Sequence, residues 1–185
     1  MITVDRSLYK LSLFLLSFFS IIMAEENTNQ KEAFFAAGCF WGVESTFQQL
    51  EGVESTTVGY TGGNVKNPSY ELVCTGITDH AEAVQVVYAA SVISYEELLD
   101  TFFELHDPTT IDRQGPDVGS QYRSAIFYTN EEEKTLVEIK INQVNESGKF
   151  RSRIVTEVAP INNFYDAEDY HQDYYKKRGI IGCAI

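Results

Sequence analysis

At 185 residues, the chain can form one domain with a sizeable core and is too short for two large ones. Hydrophobic residues at 44% and aromatic residues at 13% exclude a disordered chain. A formal net charge of −13 excludes the basic excess with which a nucleic-acid binder meets phosphates, and offers nothing to an acidic membrane surface.

Arg6 and Lys10 precede an apolar run that ends at Ala24, and polar sequence begins at Glu25. A basic start, a short apolar run and a small residue make a secretory signal pattern over residues 1–24. The run is shorter than the ~20 residues that a spanning helix needs. Export to a periplasm or to the outside is the expectation, with cleavage near Ala24; an uncleaved membrane anchor is the alternative. Residues 25–31 read as a polar linker and residues 32–185 as the single folded domain.

Glu32–Ala37 predicts a strand that Gly38 breaks. Val43, Phe47 and Leu50 stand at helical spacing, and Gly52 ends that helix. Val53–Tyr60, rich in Thr and Val, predicts a second strand. Thr61–Thr78 reads as a loop, punctuated by Gly62-Gly63, Asn67-Pro68 and Gly76. Ala81–Tyr88 alternates as a strand with Glu82, Val84 and Val86 on one face. Ser94 and Glu97 form a capping box ahead of Leu98, Leu99, Phe102 and Phe103. Asp107–Gln121 reads as a long polar loop and Tyr122–Thr129 as a strand. Asn130 and Glu133 cap a helix that runs to about Asn145 and ends at Gly148. Arg153–Ala159 predicts a strand and Asp166–Tyr175 a helix. The tail from Gly179 to Ile185 is glycine-punctuated and expected to be mobile. Several strands follow one another without a helix between them, which favours an α+β two-layer sandwich over a doubly wound parallel sheet.

Three cysteines, Cys39, Cys74 and Cys183, are widely spaced and contain no Cys-x-x-Cys, so a zinc site is not expected. His80, His106 and His171 form no His-x-x-x-His pair and read as surface or hydrogen-bonded residues. Cys39 stands at a strand end with a helix expected three or four residues later. Unpaired N–H groups and the dipole at such an N-terminus favour a thiolate. Phe40 and Trp41, if they face outward, wall the sulfur with apolar surface. Position alone leaves a reactive thiol and a buried inert one both open. The single Trp of the chain, two residues away, tips the balance toward reactivity.

Gly38-Cys39-Phe40-Trp41-Gly42 followed by Gly59-Tyr60-Thr61-Gly62-Gly63 closely resembles the peptide-methionine sulfoxide reductase A family. The resemblance continues in order through Asn67-Pro68-Ser69-Tyr70-Glu71, His80-Ala81-Glu82-Ala83-Val84, His106-Asp107-Pro108-Thr109-Thr110, Arg113-Gln114-Gly115, Asp117-Val118-Gly119 and Gln121-Tyr122-Arg123-Ser124-Ala125. Ala167-Glu168-Asp169-Tyr170-His171-Gln172 closes it. It implies a ferredoxin-like core with a mixed sheet and long catalytic loops, and a methionine sulfoxide reductase A catalytic domain over 32–185. The activity it implies is reduction of the S-epimer of methionine sulfoxide, free or in oxidised proteins. The enzyme would be monomeric, with no cofactor and a thioredoxin-like reductant.

By the same resemblance Cys39 is the nucleophile and becomes a sulfenic acid. Phe40 and Trp41 match the pocket for the substrate methyl group. Glu82, Tyr70 and Tyr122 match the residues that hold the sulfoxide oxygen, with Glu82 as proton donor. Asp117 matches a further polar pocket residue. Cys183 matches a resolving cysteine, although Lys177-Arg178-Gly179 replaces a segment common in the family, and Cys74 is the alternative resolver. Two other classes stay in view. A cysteine hydrolase or acyl transferase needs a histidine hydrogen-bonded to Cys39. A binding domain would instead hold Cys39 and Cys183 in a permanent bridge.

Overall fold

The computed structural model describes residues 30–180. The expected signal, most of the expected linker, and Cys183 lie outside the described residues. The chain runs β1 (Gln30–Ala37), α1 (Phe40–Phe47), β2 (Val53–Thr61), α2 (Tyr70–Cys74), β3 (Ala81–Ala89) and α3 (Tyr95–Leu105). It continues with β4 (Arg113–Gln114), β5 (Asp117–Val118), β6 (Ser124–Tyr128), α4 (Glu131–Ser147), β7 (Glu157–Pro160) and β8 (Phe164–Asp166).

Six strands form one sheet in the order β7-β6-β1-β3-β2-β8, and β4 and β5 form a separate hairpin. β6 and β7 pair in parallel, while β1–β6, β2–β3 and β2–β8 are antiparallel, so the sheet is mixed. The central strands β6-β1-β3-β2, with α1 between β1 and β2 and α3 between β3 and β6, make the expected ferredoxin-like α+β core.

β1 reads Ala33-Phe34-Phe35-Ala36-Ala37 because both of its faces are buried. Phe35 faces the helices and stacks on Phe47 of α1 at 4.9 Å between centroids, with Phe102 of α3 at 5.4 Å. Such pairs add about 0.5–1.5 kcal/mol each beyond the area they bury. Phe34 and Ala36 face the other way, with Ala83, Ala125 and Phe127. On β3 the helix-facing set is Glu82, Val84 and Val86, as the alternation predicts, and all three are buried. Across β2, Tyr60 opposes Glu82 and Val58 opposes Val84.

Both predicted caps form. Ser94 and Glu97 make a reciprocal capping box on α3, and Asn130 accepts from the Glu133 N–H at 2.9 Å on α4. Gly148 closes α4 at φ 72.

Several local readings are overridden. β1 starts at Gln30, inside the expected linker. The first helix starts at Phe40, not Val43. Tyr122 belongs to a 3-10 turn (Ser120–Tyr122), so β6 starts at Ser124. Of the strand expected over Arg153–Ala159, only the segment from Glu157 pairs, because β6 offers just five residues. The loop expected over 61–78 contains α2, started by the Ser69 side chain, and the loop over 107–121 contains the β4–β5 hairpin. The helix expected over Asp166–Tyr175 does not form. Asp166 ends β8, the Ala167 N–H donates to the Val58 carbonyl at 2.9 Å, and Gln172 bonds both backbone groups of Val58 at 2.9 Å. Pairing to β2 outweighs helix propensity there, and Asp173 turns the chain at φ 52.

Ser94→Ala removes the α3 cap and is expected to lower unfolding free energy by about 1 kcal/mol in urea titration, leaving the Cys39 region unaltered.

Candidate active site

β1 delivers the chain to Gly38, whose φ of +90 makes the turn into α1 and whose missing Cβ would stand 2.7 Å from the Gln114 side chain. Cys39 is the N-cap residue of α1, closer to the helix than the spacing implied. The N–H groups of Trp41 and Gly42 reach its sulfur and favour the thiolate. They do not prevail. Burial, the nearby Glu82 carboxylate and then Asp117 push Cys39 up to about 12. The expectation of a low-pKa thiol is therefore corrected: two amides at a helix start are outweighed by desolvation and two acids.

Glu82 is 2% exposed, which excludes a solvated strand residue. Its Oε2 accepts from the Phe40 N–H at 3.1 Å, which ties β3 to the first turn of α1. Burial pushes Glu82 up to about 8; the Phe40 N–H opposes that and Asp117 adds to it. The carboxyl is mostly protonated at neutral pH. Tyr122 is pushed up to about 12 by burial, then by Glu82, Asp117, Cys74 and Cys39. Tyr70, the first residue of α2, is raised by burial, then by the Cys74 thiol beside it, Glu82 and Tyr122. These mutual influences bring Cys39, Tyr70, Glu82, Asp117 and Tyr122 into one site, with the exposed Cys74 thiol at its edge. Cys39 and Asp117 also line a cleft of about 580 Å³ that Arg113, Gln114 and Tyr175 flank.

The two aromatic residues after Cys39 separate. Phe40 is 1% exposed and faces inward, 6.0 Å from Tyr60 and 5.1 Å from His171, so it does not stand as an outward wall. The apolar positions of β2 and β3 draw it into the core. Trp41 is half-buried, with Tyr174 stacked on it at 3.7 Å and the Arg178 guanidinium 3.5 Å from the Tyr174 ring.

The segment after β8 brings two residues that carried no role in the sequence. Glu168 Oε2 accepts from the Tyr60 hydroxyl at 2.9 Å and Oε1 from the Tyr70 N–H at 3.0 Å. Burial works to raise Glu168, but those donors and His171 hold it below its ordinary value. His171 Nδ1 accepts from the Trp41 indole N–H at 3.1 Å. The signal available in the sequence was the pairing of an acid and a histidine three residues apart in Glu168-Asp169-Tyr170-His171. All three histidines are buried. His106 is held between the Phe102 carbonyl and the Ser124 hydroxyl, and burial pushes it down to about 4. His80 lies between the Gly63 N–H and the Val65 carbonyl. Among the described residues no histidine is hydrogen-bonded to Cys39, which removes the arrangement a cysteine hydrolase needs. No group of three or more His, Cys, Asp or Glu among them is disposed to hold a metal.

A family model described as peptide methionine sulfoxide reductase matches residues 31–185. A Methanosarcina mazei protein named peptide methionine sulfoxide reductase MsrA is 53% identical over 151 residues, 82% of this chain and 72% of that one. The crystal structure of reduced Mxr1 from Saccharomyces cerevisiae matches with a TM-score of 0.75 and 40% identity, over 83% of this chain and 88% of that one. Mxr1 in complex with Trx2 matches with a TM-score of 0.56 and 32% identity, over 80% and 87% of the two chains.

Glu82→Gln removes the charge that disfavours the Cys39 thiolate. The pH profile of Cys39 alkylation is expected to shift to lower pH; a shift to higher pH, or none, would contradict this electrostatic reading.

Proposed function

The chain belongs to the peptide methionine sulfoxide reductase family, and we propose that it reduces the S-epimer of methionine sulfoxide through Cys39, with Glu82 as the proton carrier. The observation that carries this reading is Glu82 itself, buried beside Cys39 and largely neutral at pH 7. A sulfoxide sulfur becomes electrophilic when its oxygen is protonated, and a neutral buried carboxyl is the group to protonate it. The preference for the S-epimer rests on the motif resemblance around Cys39.

Glu82 gives its proton to the sulfoxide oxygen as the Cys39 sulfur attacks, and the resulting carboxylate takes the thiol proton. A thiol held near pKa 12 is thereby deprotonated in the step that uses it. Oxygen is transferred, the sulfide leaves as methionine, and Cys39 is oxidised by two electrons to a sulfenic acid. The phenols of Tyr70 and Tyr122, raised well above neutral pH, stay protonated and donate to the oxygen. Asp117 borders the cleft beside the sulfur. A second thiol then displaces water from the sulfenic acid to form a disulfide. Cys183 is the proposed resolver, with Cys74 as the alternative. A dithiol donor returns both sulfurs to thiols and is itself oxidised. The Mxr1 structure with Trx2 supports a thioredoxin-like donor here. The leader-like pattern over residues 1–24 supports export, which would make that donor an exported one.

Cys39→Ser is expected to abolish turnover of the S-epimer with dithiothreitol, and wild-type inactivity on that epimer would refute the proposal. Because Glu82 acts in its protonated form, the wild-type rate of sulfenic acid formation is expected to fall as pH rises through about 8. Glu82→Gln is expected to lower that rate about 10²- to 10⁴-fold and to remove the inflection, read in single-turnover kinetics. Mass mapping after one turnover identifies the resolver, and cell fractionation tests export.

A further inference from the structure

We propose that His171 and Glu168 are positioning residues of the reactive site, His171 orienting the Trp41 indole and Glu168 orienting Tyr70. The inference rests on the proposed function's reading of Tyr70 as a donor to the sulfoxide oxygen and on the family resemblance that places Trp41 in the methyl pocket.

The segment that carries both residues is fixed to the sheet before it reaches the site. β8 pairs Tyr165 with Tyr60 and Asp166 with Gly59. Ala167 and Gln172 then grip Val58 from either end of the six-residue stretch, through the Ala167 N–H and both ends of the Gln172 amide. Between those anchors, Glu168 and His171 have little freedom in where they present their side chains.

Glu168 uses one carboxylate oxygen for each partner. Oε1 accepts from the Tyr70 N–H, one of the donors that the start of α2 cannot satisfy internally. Oε2 accepts from the hydroxyl of Tyr60, which is fixed in the core opposite Glu82. Tyr70 is thus referenced to the same β2–β3 register that carries the proton donor.

His171 is 2% exposed and sits among four rings, Phe40, Trp41, Tyr70 and Tyr170, at centroid distances of 5.1, 5.6, 4.5 and 4.2 Å. Because Nδ1 accepts from the indole, the neutral ring carries its proton on Nε2. Burial holds His171 below its ordinary pKa, in keeping with that neutral form. Nε2 is buried and makes no hydrogen bond, and the Glu168 Oε2 lies 3.9 Å away. Packing alone does not call for this residue: an aromatic hydrocarbon would fill the space without a stranded donor. What the imidazole adds is the acceptor for the Trp41 N–H. A movement of about 1 Å would close the remaining gap and link the indole, His171, Glu168 and Tyr70 in one chain.

Trp41 is the single Trp of the chain, so its emission reports its own surroundings. His171→Phe keeps a ring and removes the acceptor. It is expected to shift the emission maximum and to raise KM for methionine sulfoxide about 3- to 10-fold with kcat within about twofold, the range one hydrogen bond spans. His171→Asn, which restores an acceptor, is expected to recover part of both. Glu168→Gln is expected to lower kcat while leaving Trp41 emission in place. Unchanged emission or unchanged KM in His171→Phe overturns the proposal, as does a parallel change of kcat and KM in both variants, which a purely structural role would produce. If His171→Phe does not fold, Glu168→Gln decides by its kcat. If the wild type reduces no sulfoxide, the functional reading fails, and the emission comparison alone decides whether His171 orients the indole.

Discussion

Glu82 stands on a central strand with its carboxyl in the protein interior, where it accepts one backbone hydrogen bond, from Phe40. That bond joins β3 to the first turn of α1, the turn that Cys39 caps. A carboxylate at this place would be poorly solvated and close to Asp117, so the proton stays on it at neutral pH. The same burial raises the Cys39 thiol. Both groups are thereby held in their protonated forms at neutral pH, the state from which the proposed reaction starts, and the place of Glu82 depends on the β2–β3 register that sets Tyr60 opposite it.

The sheet supplies that register by being buried on both faces at its centre. β1 places Phe35 against α1 and α3, and Phe34 against Ala83 and Phe127. A one-residue slip would send Glu82 to the other face and remove it from Cys39. Loops then finish the site. The β4–β5 hairpin brings Asp117, the 3-10 turn brings Tyr122, and the segment after β8 brings Glu168 and His171. The loops have their own internal fixings, such as the Gln172 amide on Val58, which gives irregular chain a strand-like precision.

Phe40 and Trp41 show how adjacent residues of like chemistry divide their roles. At the start of a helix, consecutive side chains point about 100° apart. Phe40 takes the inward direction and joins the core, and Trp41 lies at the edge under Tyr174. No composition argument separates them, because either would satisfy an apolar position.

Local sequence was sufficient wherever a local interaction decides the structure. Ser94 with Glu97 and Asn130 with Glu133 mark helix starts because a cap is made within three residues. The alternation in β3 placed Glu82 on the side of Val84 and Val86, and the ordered motifs identified the family. Tertiary structure decided what depends on distant partners. Ala167–Gln172 became a strapped turn and not a helix because its hydrogen bonds go to Val58, more than a hundred residues earlier. Glu168 and His171 gained roles only when that turn met Tyr70 and Trp41. The Cys39 thiol, favoured as a thiolate by its helix alone, is raised first by its burial and then by a carboxyl 43 residues away in the chain, because folding puts the two in one low-dielectric space.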